Sequence, residues 1–392
     1  MVSNIFTLEM VTIHVFLTAV LAYVIPLVTA CGTDYGRGPP CVFPFRLDGQ
    51  LYISCTTRPV PGSGETGPVL PPHCPTRVNP DTLEASTEVG DWGTCDRHCP
   101  LRNYRSNADI TDNLNNIAIT YPDLAEVFSI GRSVRGENLT GIRLSSGIRD
   151  ERKLLKPMVA LIGNMHGNEV VCREVLTHLA SVLVMGMAVD KRIQAIMERT
   201  EVHILPTINP DGWRRAGEGE CGGQDLNSGR LNSNRVDLNR NFPVNNVDRK
   251  RSSKHHMEPE TEAVVNWLKG NPFVLGANFH GGAVVASYPW DHYERPHPDM
   301  GELGEHQTLD DSLFKNIAKS YAENNPAMSN SSSCKKYAWL GSTTNGAKWY
   351  PKNGTLKDFS YQQTNSLDFV FELSCCKYLR SYFLPREWDY NG

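Results

Sequence analysis

A chain of 392 residues, 40% hydrophobic and 21% charged, is long enough for one large globular domain and a small one. Its 39 Lys and Arg against 43 Asp and Glu leave a net charge of −4, so no basic excess supports nucleic-acid binding. The one local basic run, Arg249, Lys250, Arg251 and Lys254, reads as a solvated loop.

The chain opens with an apolar run over residues 11–30 that ends in Val28-Thr29-Ala30. Small residues closing an apolar stretch predict a signal peptide over residues 1–30. Glu9 stands in the preceding segment where Lys or Arg is usual, which keeps an uncleaved anchor as the alternative. A lipoprotein cleavage site ahead of Cys31 fits poorly, because basic residues are missing and a cysteine-rich stretch follows. No later segment is long and apolar enough to span a bilayer. Six of the eleven cysteines fall between Cys31 and Cys99. Dense cysteine in a Pro- and Gly-rich stretch predicts a disulfide-stapled module over residues 31–100 and a secreted or secretory-pathway protein. Three sequons, at Asn138, Asn330 and Asn353, permit glycosylation.

From residue 101 to 392 the texture changes. Ile110, Leu114 and Ile117 recur at helical spacing. Residues 157–162 read as a strand, 170–184 as an apolar-striped helix and 201–207 as a strand. Residues 259–269 predict a helix with Pro259 in its first turn and Gly270 past its end. Residues 273–279 and 367–373 read as buried strands, and Leu309, Leu313, Ile317 and Tyr321 mark a further helix. Alternating strands and helices predict an α/β fold, a mixed but mostly parallel central sheet with helices on both faces.

The strongest chemical signal is Gly163-Asn-Met-His-Gly-Asn-Glu169, between a buried strand and a helix. His166 and Glu169 at such a turn can reach one ion, and ligands gather where strands of an α/β sheet end. His280, in Asn278-Phe-His-Gly-Gly282, closes another apolar strand and supplies a third donor. Two imidazoles and one carboxylate suit Zn2+ with one position left for water. Glu372 lies in the apolar run Leu367-Asp-Phe-Val-Phe-Glu-Leu373. A carboxylate there needs a partner or a function, since burying it uncompensated is costly.

These segments, together with Ser129-Ile-Gly-Arg-Ser133, Asn209-Pro-Asp-Gly212, Asp237-Leu-Asn-Arg-Asn-Phe-Pro243, Thr344-Asn-Gly-Ala347 with Trp349-Tyr350, and Glu372-Leu-Ser-Cys-Cys-Lys377, resemble the metallocarboxypeptidase family, in its carboxypeptidase E, D, N and M branch. The resemblance runs from about residue 103 to 388. It implies a zinc carboxypeptidase fold and one zinc ion held by His166, Glu169 and His280. It implies hydrolysis at peptide and protein C-termini, with Glu372 as general base and acid. By the same resemblance, Asn239 and Arg240 clamp the substrate's terminal carboxylate. Arg230 stabilises the developing oxyanion, and Tyr361 closes over the bound C-terminus. The branch removes Lys or Arg, a preference matched here by Asp291 in Tyr288-Pro-Trp-Asp291. Lys357 stands where the relatives carry a glutamine, so a weakened or altered basic preference is expected; the alternative is a solvent-facing Lys357.

The segment before this resembles a fibronectin type II module, through Cys41-Val-Phe-Pro-Phe45, Tyr52-Ile-Ser-Cys55, Cys74 and Trp92-Gly-Thr-Cys95. That resemblance implies pairs Cys41–Cys74 and Cys55–Cys95, with Cys31 and Cys99 left as an outer pair. It also implies a shallow aromatic surface for collagen, gelatin or glycans. His73 stands where the family has Trp and residues 58–72 form a long loop, so a stapled spacer is the alternative. Cys172, Cys221, Cys334, Cys375 and Cys376 receive no pairing. The relatives' transthyretin-like domain has no counterpart before Gly392. Two other functions stay open: a matrix-binding protein with a vestigial catalytic domain, and a zinc deacylase on the same fold.

Overall fold

The computed structural model describes residues 31–34, 37–64, 70–96, 99–150, 155–221, 228–244, 256–292, 304–329 and 334–391. The expected signal segment, the basic run around Lys250 and the sequon at Asn330 lie outside the described residues. The chain divides into two compact units, Met1–Asn103 and Tyr104–Gly392.

The first unit is held by three disulfides, Cys31–Cys99, Cys41–Cys74 and Cys55–Cys95. These are the pairs that the resemblance implied. Strands β1 (Phe45–Leu47) and β2 (Gln50–Tyr52) form a hairpin. Its turn is Asp48-Gly49, both with positive φ (51° and 76°), the backbone that a two-residue hairpin turn requires. Strands β3 (His73–Pro75) and β4 (Trp92–Thr94) pair antiparallel. Phe45 and Tyr52 stack and are wholly buried. His73 is also buried, edge-on to Trp92, with Nδ1 2.8 Å from Pro71 O. The ring at the departing position therefore belongs to the interior and adds nothing to an exposed aromatic surface.

The second unit is built on an eight-stranded sheet. Its strands in chain order are β5 (Ala125–Arg132), β6 (Asn138–Leu144), β7 (Met158–Gly163), β8 (Glu201–Leu205), β9 (Phe273–His280), β10 (Ala283–Tyr288), β11 (Thr343–Asn345) and β12 (Leu367–Ser374). The spatial order is β11-β10-β12-β9-β7-β8-β6-β5. The central run β12-β9-β7-β8 is parallel, as is β10 with β11. The pairs β10–β12, β6–β8 and β5–β6 are antiparallel. The mixed, mostly parallel sheet expected from the sequence is present.

The helices are α1 (Asn107–Thr120), α2 (Val171–Gly186), α3 (Lys191–Arg199), α4 (Pro259–Gly270), α5 (Asp311–Asn324), α6 (Leu356–Gln363) and α7 (Leu384–Asn391). Helix α1 begins at a reciprocal capping box between Ser106 and Asp109, a device worth about 1 kcal/mol. It buries Ile110, Leu114 and Ile117, the predicted stripe. Helix α4 starts on Pro259, whose missing N–H costs nothing in a first turn. Helix α2 is buried nearly all round. Helix α5 departs from expectation. It starts at Asp311, leaving Leu309 outside it and fully exposed, and its buried residues are Phe314, Ala318 and Ala322. Its buried stripe lies one residue beyond the predicted one, although Tyr321 still stacks flat on Phe371.

One core cluster lies against the sheet and includes Ile162, Leu205, Val264, Trp267, Phe273 and Phe359. Cys221 pairs with Cys376. Cys172, Cys334 and Cys375 form no disulfide, and the Cys375 thiol is hydrogen-bonded with Cys334.

Candidate metal centre and substrate cleft

Three neighbouring parallel strands deliver the chemistry. The turn after β7 carries His166 and Glu169, β9 ends on His280, and β12 carries Glu372. This is the end of a parallel sheet where ligands bind. The turn is held open from within. Asn164, in the left-handed region at φ 54°, donates from Nδ2 to the carbonyls of His166, Gly167 and Glu169 at 2.9, 3.1 and 3.0 Å. Thr207 Oγ1 fixes Asn164 from the other side at 2.8 Å. Gly167 has no room for a side chain: a Cβ there would lie 2.3 Å from the backbone of Gly212 and of Trp213. Asn209 secures that second segment, donating to Met165 O and Arg230 O and accepting from Gly212 N. The Asn-Pro-Asp-Gly motif is thus scaffolding for the metal turn.

His166 Nδ1, His280 Nδ1 and Glu169 Oε2 converge. The two rings' Nδ1 atoms are 3.1 Å apart, and Glu169 Oε2 is 2.9 and 2.7 Å from them. All three residues are buried. Whether they fit a metal turns on which nitrogen carries the proton. His166 Nε2 faces Asp237 Oδ1 at 3.0 Å, an acceptor. His280 Nε2 faces Asn278 Oδ1 at 2.8 Å. That amide's orientation is set by its Nδ2, which donates to Asp368 Oδ1 and Phe369 O. Both Nε2 atoms therefore donate, and both Nδ1 atoms present a lone pair. Two such nitrogens and a carboxylate fit Zn2+.

The charges around the centre interlock. Burial opposes ionisation of Glu169, but His166 and Lys377 hold its carboxyl well below the usual range. Lys377 Nζ bonds Glu169 Oε1 and also Gly281 O. The neighbouring Gly282 has φ +116°, and a Cβ there would press on Lys377 Cε at 3.1 Å. Asp237 is likewise held low against its burial, by His166 and Arg230. It takes two bonds from Arg230, Nε at 3.2 Å and Nη2 at 2.8 Å, while Arg230 Nη1 reaches Glu169 Oε1 at 3.3 Å. Glu372 differs. Burial and the nearby Glu169 push its pKa up, and its Oε2 is buried without a hydrogen-bond partner.

A cleft of about 570 Å³ opens over this centre, lined by His166, Glu169, His280, Glu372, Arg230, Asn239 and Arg240 together with Asp237, Tyr350, Lys352 and Lys377. Asn239 is buried, with Oδ1 accepting from Leu356 N at 3.0 Å. Arg240 is exposed, and among the described residues no carboxylate pairs with it.

Three expected site residues lie elsewhere. Tyr361 does not line the cleft. Its hydroxyl donates to Asp310 Oδ2 at 2.6 Å and its ring packs on Trp290 and Phe314. The tyrosines on the cleft are Tyr337 and Tyr350; Tyr350 is 41% exposed, at the end of the short helical turn Gly346–Trp349. The signal for it was the Trp349-Tyr350 pair; the Asp-Phe-Ser-Tyr run drew attention away. Asp291 and Lys357 are both wholly buried, so Lys357 does not face solvent. Lys357 Nζ is 3.0 Å from Asp291 Oδ1, and Lys352 Nζ is 2.9 Å from the same oxygen. Burial works against the Asp291 charge, but Lys352 and Lys357 hold its pKa at about 2. Lys352 was not foreseen, because a lysine four residues before a loop's end carries no pattern.

A model of the zinc carboxypeptidase family matches residues 110–391. The chain belongs to the zinc carboxypeptidase family. Among curated members of that family, carboxypeptidase D of Drosophila melanogaster is 40% identical over 294 residues, covering 74% of this chain and 20% of its own. Carboxypeptidase M of Mus musculus is 38% identical over 279 residues, covering 71% and 61%. The catalytic chain of Mus musculus carboxypeptidase N is 38% identical over 303 residues, covering 71% and 65%. The chain thus spans from a fifth to under two thirds of these relatives. In solved structures the fold recurs in carboxypeptidase A from Helicoverpa armigera, with TM-score 0.56 and 17% identity over 74% of this chain and 71% of that one. It also recurs in thrombin-activatable fibrinolysis inhibitor, with TM-score 0.55 and 18% identity over 73% and 72%.

Proposed function

We propose that the chain is a zinc-dependent carboxypeptidase that hydrolyses the last peptide bond of peptides or proteins. The observation that carries this reading is the convergence of His166 Nδ1, His280 Nδ1 and Glu169 Oε2 beside Glu372, whose Oε2 is buried without a hydrogen-bond partner. A binding protein has no use for a buried carboxylate oxygen left without a partner, which is costly to keep.

His166, Glu169 and His280 would hold the ion, which supplies a Lewis acid that acidifies water and polarises the scissile carbonyl. Glu372 takes a proton at Oε2 and returns it to the leaving amine. Arg240, with no carboxylate partner among the described residues and on the cleft with Asn239, receives the terminal carboxylate in its planar fork. Arg230 Nη1 sits beside Glu169 and faces the charge that develops on the carbonyl oxygen. Tyr350 takes the closing role expected of Tyr361, since it stands on the cleft wall. The four disulfides support passage through the secretory pathway.

The family branch's Lys and Arg preference is weakened here. The acidic residue that would attract a cationic side chain, Asp291, is already shared by Lys352 and Lys357. The deciding experiment is release of C-terminal residues from hippuryl-type substrates by zinc-loaded protein, with and without chelator. Failure to release any C-terminal residue in a zinc-dependent way overturns the reading.

A further inference from the structure

Resting on the carboxypeptidase reading, the charge around the side-chain end of the cleft goes beyond a lost basic preference. Among the described residues, every anion on the cleft wall is committed. Glu169 belongs to the metal set, Asp237 to His166 and Arg230, and Glu372 to proton transfer. The cations outnumber them: Arg230, Arg240, Lys352 and Lys377 all line the cleft. Arg230 and Lys377 are paired with the carboxylates at the centre, and Arg240 awaits the terminal carboxylate. That leaves Lys352, whose partner Asp291 lies behind the wall and not on it, as the remaining cation of the cleft wall.

Lys352 is not a loose surface lysine. Its side chain is 7% exposed, its Nζ lies 2.9 Å from Asp291 Oδ1, and it sits 4.2 Å from the Tyr350 ring centroid. Behind it, Lys357 and Asp291 are wholly buried, and Lys357 Nζ donates to Ser287 Oγ at 2.7 Å. Gly346 packs hard on the pair: a Cβ there would lie 2.0 Å from Asp291 Oδ1 and 2.8 Å from Lys357 Nζ. With both lysines charged the triad carries one surplus positive charge. With Lys357 neutral, Asp291 is still spent on Lys352. In neither state do these three residues present a free anion to a lysine or arginine side chain.

We propose that the Lys352–Asp291–Lys357 triad makes this a site for acidic C-terminal residues, aspartate or glutamate, with Lys352 as the specificity-determining contact. A second carboxylate at the substrate's end then meets a fixed ammonium, while a cationic end meets repulsion.

The test uses the full chain loaded with zinc and four blocked substrates differing only in their last residue: Glu, Asp, Leu and Arg. Glu or Asp should exceed Arg at least tenfold in kcat/KM, chiefly through KM, with Leu between them. Lys352→Gln should collapse that ratio by a similar factor. Because removing one partner of a buried ion pair can unfold the protein, the same peptides are also titrated calorimetrically onto the non-cleaving Glu372→Gln protein, where Glu-ending peptides should bind tighter than Arg-ending ones. Active enzyme that favours Arg or Leu overturns the triad's role and leaves the carboxypeptidase reading standing. Release of none of the four overturns that reading, and the proposal with it.

Discussion

Glu372 stands directly beside His280 in the parallel ladder of β12 and β9. The register is what brings a proton acceptor to the metal centre, since a one-residue slip would turn Glu372 to the opposite face. Replacement of Glu372 by Gln keeps the shape and removes the base. We expect kcat to fall by about 10²–10⁴-fold, with zinc content by elemental analysis and the thermal transition unchanged. Undiminished turnover at full zinc content would remove Glu372 from proton transfer.

Tyr350 and Tyr361 separate two expectations. Tyr350 lines the cleft, whereas the Tyr361 hydroxyl is spent on Asp310. Tyr350→Phe should raise KM or lower kcat by roughly tenfold, the scale of one lost hydrogen bond to a charged group. Tyr361→Phe should leave both constants within about twofold, as expected for a group remote from the chemistry. The reverse pattern in steady-state kinetics would restore Tyr361 to the site.

The metal set was legible because each ligand closes an apolar strand or opens a helix, and strand ends in a parallel sheet converge. The fold class was legible for the same reason: β7, β9 and β12 are short apolar runs flanked by turns. Strand β5 was not, since a half-exposed edge strand such as Ala125–Arg132 alternates weakly. The supporting residues were also hidden. Asp237 and Lys377 act through contacts with residues 71 and 208 positions away, which no local spacing encodes, whereas Asn278 lies only two residues from the His280 it orients. Lys357 stood out in the sequence, but its burial beside a second lysine depends on how residues 346–357 fold over Asp291.

Asn278 fixes the His280 tautomer through its Oδ1 and partners Asp368 through its Nδ2. Burial pushes Asp368 up to about 7, against the lowering effect of that amide. Asn278→Ala frees the His280 ring and removes a partner from Asp368. Zinc affinity measured by chelator competition should drop by about 10–100-fold, while Lys377, which contacts Glu169 and not His280, continues to hold the carboxylate. Unchanged zinc affinity would show that the ring orientation is set by packing alone.

His178 supplies a pH dependence away from the metal. It lies within α2, buried, edge-on to Trp388 of α7 with ring centroids 4.5 Å apart, and its Nε2 has no partner. Burial, reinforced by Arg105, lowers its pKa from 6.5 to about 3. The folded state therefore binds fewer protons than the unfolded chain between those two values, so unfolding takes up a proton as pH falls through 6.5. Stability from this group is intact above pH 6.5 and declines toward pH 3, by roughly 3 kcal/mol at pH 4. His178→Leu, similar in volume and unable to ionise, removes the dependence. In urea melts at pH 7 and pH 4, the loss of stability on acidification should be smaller in the variant by about that amount. Parallel losses in the two proteins would mean that His178 does not couple proton uptake to unfolding of the α2–α7 contact.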